Sequence, residues 1–245
     1  MAYQTALTIE SVIKDIDSKK YLLPSIQREF VWSTGQIEKL FDSLMRDYPI
    51  NAFLFWKVPR EKVSEFKFYE FLRDYHQKDN KHNPKANTNG TEDILDGQQR
   101  MTSLYIALKG TYAYKMSYKR WDNPAAYPKR KLYLNLLAAS DDADMFYDFL
   151  FLTEEEAKNI KNDNDEYEGA FWFPVGKILD FREESDVNDY LIDNDLNTVA
   201  DKAQAKFANK ALFKLYSVIH NKQTISYYLE ESTELDKVLN IFIRV

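Results

Sequence analysis

The chain has 245 residues, 44% of them hydrophobic, enough to bury a sizeable core as one large domain or as a domain with a helical extension. Its 33 Lys and Arg against 39 Asp and Glu give a net charge of −6, so no global positive field draws it to nucleic acid or membrane, and any nucleic-acid contact must be a local patch. Cysteine is absent, which excludes disulfides, thiolate catalysis and cysteine metal sites; no apolar run reaches transmembrane length and no signal-peptide pattern is seen, a profile expected of a soluble cytoplasmic protein.

Residues 5–17 predict a short helix with Leu7, Ile9, Val12, Ile13 and Ile16 inward. The next stretch, Tyr21 to Trp32, is apolar except where Gln27 and Arg28 interrupt it, and Pro24 forbids a continuous helix there. Ser33 to Gln36 reads as a capping box, opening a helix with Ile37, Leu40, Phe41, Leu44 and Met45 as its inner stripe and Pro49 as its stop. Ala52 to Val58 reads as a strand, and Phe66 to Tyr75 as another strand or hairpin arm. Residues 76–92 have almost no apolar content and predict a surface loop; His76 and His82 there lack a nearby Cys or third His and make a poor metal site.

The chain is organised around Asp96-Gly97-Gln98-Gln99-Arg100, a polar hinge between the apolar pair Ile94-Leu95 and the run 101–108. Leu95 ends a short buried strand, while Met101, Leu104, Tyr105 and Leu108 recur at the spacing of a helix that buries one face. The pentapeptide therefore sits at a helix N-terminus, where unpaired N–H groups and the positive end of the macrodipole can hold an anion, most simply a phosphate. Gly97 lets the backbone approach closely, Gln98 and Gln99 can hold a water or phosphate oxygen, and Arg100 offers a charged planar fork. Asp96 could hold a metal or orient that water. A plainer reading stays open beside this one, in which Asp-Gly is an ordinary turn and cap and Arg100 makes a surface ion pair.

Beyond Gly110, a helix C-cap, residues 112–118 and 131–137 alternate as half-buried strands do. Between them Lys119-Arg120 and Lys129-Arg130-Lys131 flank Trp121 and Tyr127, a combination usable for a nucleic-acid backbone and base stacking, or simply a solvated connection between strands. Met145 to Leu152 predicts a strand, Thr153 to Glu156 a second capping box, and residues 162–169 an acidic loop. Pro174 opens a short helix. A long helix is expected over residues 199–221 with Ala203, Phe207, Ala211, Leu215, Val218 and Ile219 inward, followed by a strand from Thr224 to Glu230 and an apolar run from Val238 to Val245. That run has no terminator, so the expectation is a chain cut at its C-terminus.

Two stretches, LLPSIQREFVWSTGQIEKLFDSLMRDYPI at 22–50 and ILDGQQRMTSLYIALKG at 94–110, resemble the N-terminal domain family of GmrSD-type restriction systems. The resemblance implies an α+β, ParB/sulfiredoxin-like fold, a small mixed sheet with packed helices that holds a nucleotide phosphate at a turn matched here by Gly97-Gln98-Gln99-Arg100. It implies a core over 1–110 and a mixed strand and helical extension over 111–245 packed on that core. It associates the motif with Mg²⁺-dependent hydrolysis of a nucleoside triphosphate in DNA restriction and phage defence. By resemblance it nominates Asp96, Gln98, Gln99 and Arg100 for catalysis, and Gln27 and Arg28, with Gly97 and Arg100, for phosphate binding; Trp32 also matches. The resemblance also implies that many relatives carry a C-terminal HNH nuclease domain, and His76, His82 and His220 do not form one, so nuclease activity is expected in another domain or a partner subunit.

The residues therefore support two functions: a nucleotide hydrolase domain that licenses a nuclease, or a DNA-binding or modified-DNA-sensing module whose anion site takes a DNA phosphate without turnover. Two expectations follow. The turn from Asp96 to Arg100 should open into a pocket with its polar side chains pointing in, and Gln27 and Arg28 should lie close to Arg100.

Overall fold

The computed structural model describes residues 1–24, 29–59, 65–79, 92–158, 170–198, 201–232, 234, 237, 238, 240 and 241. Gln27, Arg28, His82 and residues 162–169 lie outside these. In chain order the elements are β1 (Ala2–Tyr3), α1 (Ile9–Asp17), β2 (Tyr21–Pro24), α2 (Thr34–Met45), β3 (Phe53–Lys57), β4 (Phe68–Tyr69), β5 (Asp74–His76), β6 (Glu92–Asp96), α3 (Gln98–Lys109), β7 (Thr111–Ala113), β8 (Lys129–Ala139), β9 (Tyr147–Leu152), α4 (Glu154–Lys158), β10 (Trp172–Pro174), α5 (Glu184–Asp193), α6 (Lys202–Tyr216) and β11 (Tyr227–Glu230). Short 3-10 turns cover Pro124–Ala126 and Val175–Asp180. The fold is α+β. None of the described helices is long and apolar enough to cross a membrane.

Local chemistry sets the helix starts. Thr8 caps α1 by accepting from the Ser11 N–H, and Ile9, Val12, Ile13 and Ile16 form its buried face. Ser33 and Gln36 form a reciprocal capping box on α2, whose inner stripe of Ile37, Leu40, Phe41, Leu44 and Met45 is buried as its spacing requires. Thr153 and Glu156 bond each other's backbone in the same way at the start of α4.

A six-stranded sheet has the order β1-β11-β3-β6-β2-β4, with β11–β3 and β6–β2 parallel and the other neighbours antiparallel. The second sheet runs β10-β8-β7-β5, with β9 on the other side of β8. Residues on either side of position 110 contribute to both sheets: β11 completes the first, and β5 pairs with β7 in the second. The stretch 66–75 is thus split between two sheets rather than forming one arm.

α2 lies along β9 and holds it through carboxylates. Asp42, buried, accepts the N–H groups of Phe146 and Tyr147 at 2.9 and 2.8 Å, and Glu38 accepts that of Phe151 at 3.1 Å.

Three expectations are corrected. α3 buries every residue from Met101 to Leu108, not one face, because it packs against α1, α2, β7, β8 and the turn Val175–Asp180 at once. The strand expected over 112–118 stops at Ala113; Tyr114 follows it in irregular backbone and Tyr118 lies on a turn. Ala203 is exposed, and α6 ends in a π-turn, Ser217–Asn221, that carries Val218 and Ile219 into the core.

Candidate functional site

β2 and β6 run the same way, with Tyr21 level with Glu92 and Leu22 with Asp93, so the chain leaves Pro24 and Asp96 at one edge of the sheet. Carboxyl ends of parallel strands are where open mixed sheets form ligand crevices. Gly97 turns the chain there. Its φ of 87° is left-handed, and a Cβ at this position would lie 2.3 Å from the Phe53 ring, so only glycine fits both the backbone and the approach. As the N-cap of α3 it supplies no side-chain oxygen to the first-turn amides. The helix begins at Gln98, three residues before the expected start, so Gln98, Gln99 and Arg100 form its first turn.

The motif divides by orientation. Gln99 is buried, and both ends of its amide hold the segment after Arg28: the Val31 N–H donates to its Oε1 at 3.0 Å, and its Nε2 donates to the Glu29 carbonyl at 3.0 Å. The Tyr112 hydroxyl adds a bond to the Trp32 carbonyl at 2.9 Å. Arg100 turns toward β3 instead. Its guanidinium donates to the carbonyls of Ile50 and Ala52 and stacks 4.5 Å from the Phe53 ring, with Asp96 at 3.7 Å. Its side chain is 16% exposed, and burial draws its pKa below the usual arginine value while Asp96 acts the other way; an arginine so shifted is still charged at neutral pH.

The expectation that all the polar side chains face an open pocket is therefore corrected for Gln99 and Arg100. They are spent on backbone groups that a strand-to-loop junction leaves unpaired. Asp96 keeps 37% of its side chain exposed and Gln98 is half-buried, and these two remain at the sheet edge. The expected proximity of Gln27 and Arg28 to Arg100 concerns residues outside those described. Their neighbour Glu29 is bonded to Gln99, the residue before Arg100.

Behind residues 50–52 lies a cavity of about 580 Å³ lined by Leu44, Asp47, Ile50, Ala52, Lys222 and Thr224 among others. It is polar at one end, where Asp47 pairs with Lys214 at 2.6 Å and with Lys222. Arg100 braces the wall of this cavity from the far side and does not line it. Sequence reasoning did not find Phe53 or the two carbonyls, since an apolar strand residue and backbone oxygens carry no sequence signal.

A family model described as GmrSD restriction endonuclease, N-terminal domain, matches residues 9–245. The chain belongs to that family. Within this GmrSD N-terminal domain the match runs through the motif turn, both sheets and the last described residues. The domain is also similar to an uncharacterized protein of Methanocaldococcus jannaschii, 32% identical over 98 residues, which is 40% of this chain and 16% of that protein. Among the described residues no cluster of three His, Asp or Glu side chains is arranged to hold a metal ion.

Proposed function

We propose that this GmrSD-family domain binds and hydrolyses a nucleoside triphosphate at the turn Asp96 to Gln98, and that turnover controls a nuclease in a C-terminal domain or partner subunit during DNA restriction and phage defence. The observation that carries the reading is the glycine-capped N-terminus of α3 set at the carboxyl ends of the parallel pair β2 and β6. Family membership supports the restriction context.

In this reading the phosphates rest on the first-turn amides. Gln27 and Arg28, which precede the residues tied to Gln99, are the proposed phosphate contacts. Gln98 orients a water whose oxygen bonds to the γ-phosphorus as the bond to the bridging oxygen breaks, releasing nucleoside diphosphate and phosphate. Gln99 and Arg100 act as positioning residues, holding residues 29–31 and 50–52. A single exposed carboxylate fits Mg²⁺, which is commonly held by one or two carboxylates together with substrate phosphates and water. Asp96 would hold it, and the ion would offset phosphate charge.

The test is a screen of the four ribonucleoside triphosphates for binding and Mg²⁺-dependent hydrolysis by the full-length protein. Gln98→Ala should lower kcat about a hundredfold with little change in Kd, because a group that only positions water contributes little to ground-state binding. No hydrolysis of any nucleotide by intact wild type would favour the alternative, a module whose anion site takes a DNA phosphate without turnover.

A further inference from the structure

We propose that the turn region from Tyr114 to Lys131 is a contact surface for single-stranded nucleic acid, separate from the motif turn and independent of the nucleotide reading. Its charge is opposite to that of the chain. Along the sequence six basic residues, Lys115, Lys119, Arg120, Lys129, Arg130 and Lys131, accompany Asp122 alone, a net +5 inside a chain of net −6, with Glu156 and Glu154 of α4 facing Arg130 and Lys131 in the fold. Arg130 serves the fold: it is buried, lies 4.0 Å from the Tyr114 ring and pairs with Glu156 at 3.7 Å. Lys119, Arg120, Lys129 and Lys131 are exposed. No carboxylate lies within ion-pair distance of these four among the described residues.

Two aromatic rings stand out of the same surface. Tyr118 is wholly exposed at a left-handed backbone position, φ 63°, and Trp121 is 58% exposed. Tyr118 is outside the core, and Trp121, with the Lys115 ammonium 5.5 Å from its ring, turns most of its surface to solvent. The backbone beneath them is fixed. The Met116 N–H donates to the Ala126 carbonyl at 2.7 Å, the Tyr127 hydroxyl to the Trp121 carbonyl at 3.1 Å, and Asn123 caps the turn Pro124–Ala126. Tyr127 is buried between the Trp121 ring at 6.3 Å and the His76 ring at 4.8 Å, so Trp121 is the outer member of a row anchored in the fold. Held this way, the Trp121 ring loses little freedom on contact.

Polyanion and flat face together describe a strand of unpaired bases, whose phosphates meet the lysines while the bases stack on Tyr118 and Trp121. A duplex hides its base faces and would use the charges only. An anionic membrane surface is the poorer fit because residues 114–131 offer Trp121 but no Leu, Ile, Val or Phe to build an inserting apolar face.

The experiment is fluorescence anisotropy of a labelled oligothymidine with the full chain across a salt series, with a duplex of the same length and phosphatidylserine vesicles as comparison arms. Wild type should bind the single strand more tightly than the duplex and should not bind vesicles. Tyr118→Ser and Trp121→Ala should each weaken binding about tenfold, with Tm unchanged in Tyr118→Ser, whose side chain is wholly exposed. K119Q and R120Q should each flatten the slope of log affinity against log salt by about 0.7. The proposal is overturned by absence of binding, by equal binding of the duplex, by vesicle binding, by indifference to the ring variants, or by displacement of the oligonucleotide with a nucleoside triphosphate, which would put it at the motif turn.

Discussion

The motif turn and the β8–β9 hairpin are both fastened to a central helix by side chains that reach backbone groups, but with opposite chemistry. α3 uses a neutral amide and a guanidinium, Gln99 and Arg100, to hold residues 29–31 and 50–52. α2 uses two carboxylates, Asp42 and Glu38, to hold the amides of Phe146, Tyr147 and Phe151. The guanidinium of the first keeps its charge across the physiological range, whereas Glu38 in the second carries a carboxyl that burial raises into that range.

The sharpest way to break the first fastening is Arg100→Ala, which leaves two carbonyls and the Phe53 face without their partner. It should cost about 4 kcal/mol in urea unfolding, since bonds to a charged group are each worth roughly 1.5–3 kcal/mol. Arg100→Lys should recover less than half, because one ammonium on a single stem does not reproduce a planar fork. The consequence for the nucleotide reading is that lost hydrolysis in Arg100→Ala counts as loss of fold unless melting is unchanged, whereas Gln98→Ala tests chemistry.

On the other side, Asp42→Ala strands the amides of Phe146 and Tyr147 and should cost about 3 kcal/mol, while Asp42→Asn, keeping one acceptor, should recover most of it. Equal loss in both variants would show that the pairing with Arg46 at 3.2 Å, not the two amides, holds the hairpin.

A pH dependence comes from Glu38. Burial pushes its carboxyl up to about 7, against the Phe151 N–H, which favours the charged form, and Asp148 adds to the rise. The folded state therefore binds the proton more tightly than the unfolded chain. Glu38's contribution is fully present below about 4.5 and is lost as pH rises through about 7. Burial also raises Asp148, despite the bond from Asn135 at 3.2 Å, so the two carboxyls act in the same direction. Urea midpoints between pH 4.5 and 7.5 should fall in wild type and stay flatter in Glu38→Gln. An identical slope in the variant would assign the pH term elsewhere.

What was legible in the sequence was what is local. The capping box at Ser33 and the stripe on α2 depend on residues three and four apart, and both the strand before Asp96 and the helix after Gly97 follow from neighbouring residues. α5 escaped notice because only Val187 and Leu191 of its acidic sequence are buried, too little periodicity to read. The roles of Gln99 and Arg100 were not legible either. Their partners are backbone atoms some 50 to 70 positions away, and any residue type supplies a carbonyl. A glutamine and an arginine that clamp backbone look, in sequence, like a glutamine and an arginine that clamp phosphate.

The position of β11 has a consequence for biosynthesis. This strand lies between β1 and β3, pairing with Ala2 and Tyr3 on one side and with Phe53 to Trp56 on the other. While the ribosome works through the intervening residues, β3 offers an unpaired edge carrying Phe53, Leu54, Phe55 and Trp56, all buried in the finished fold. The first sheet is complete only when residue 230 has emerged, and pairing across so long a stretch of chain slows folding.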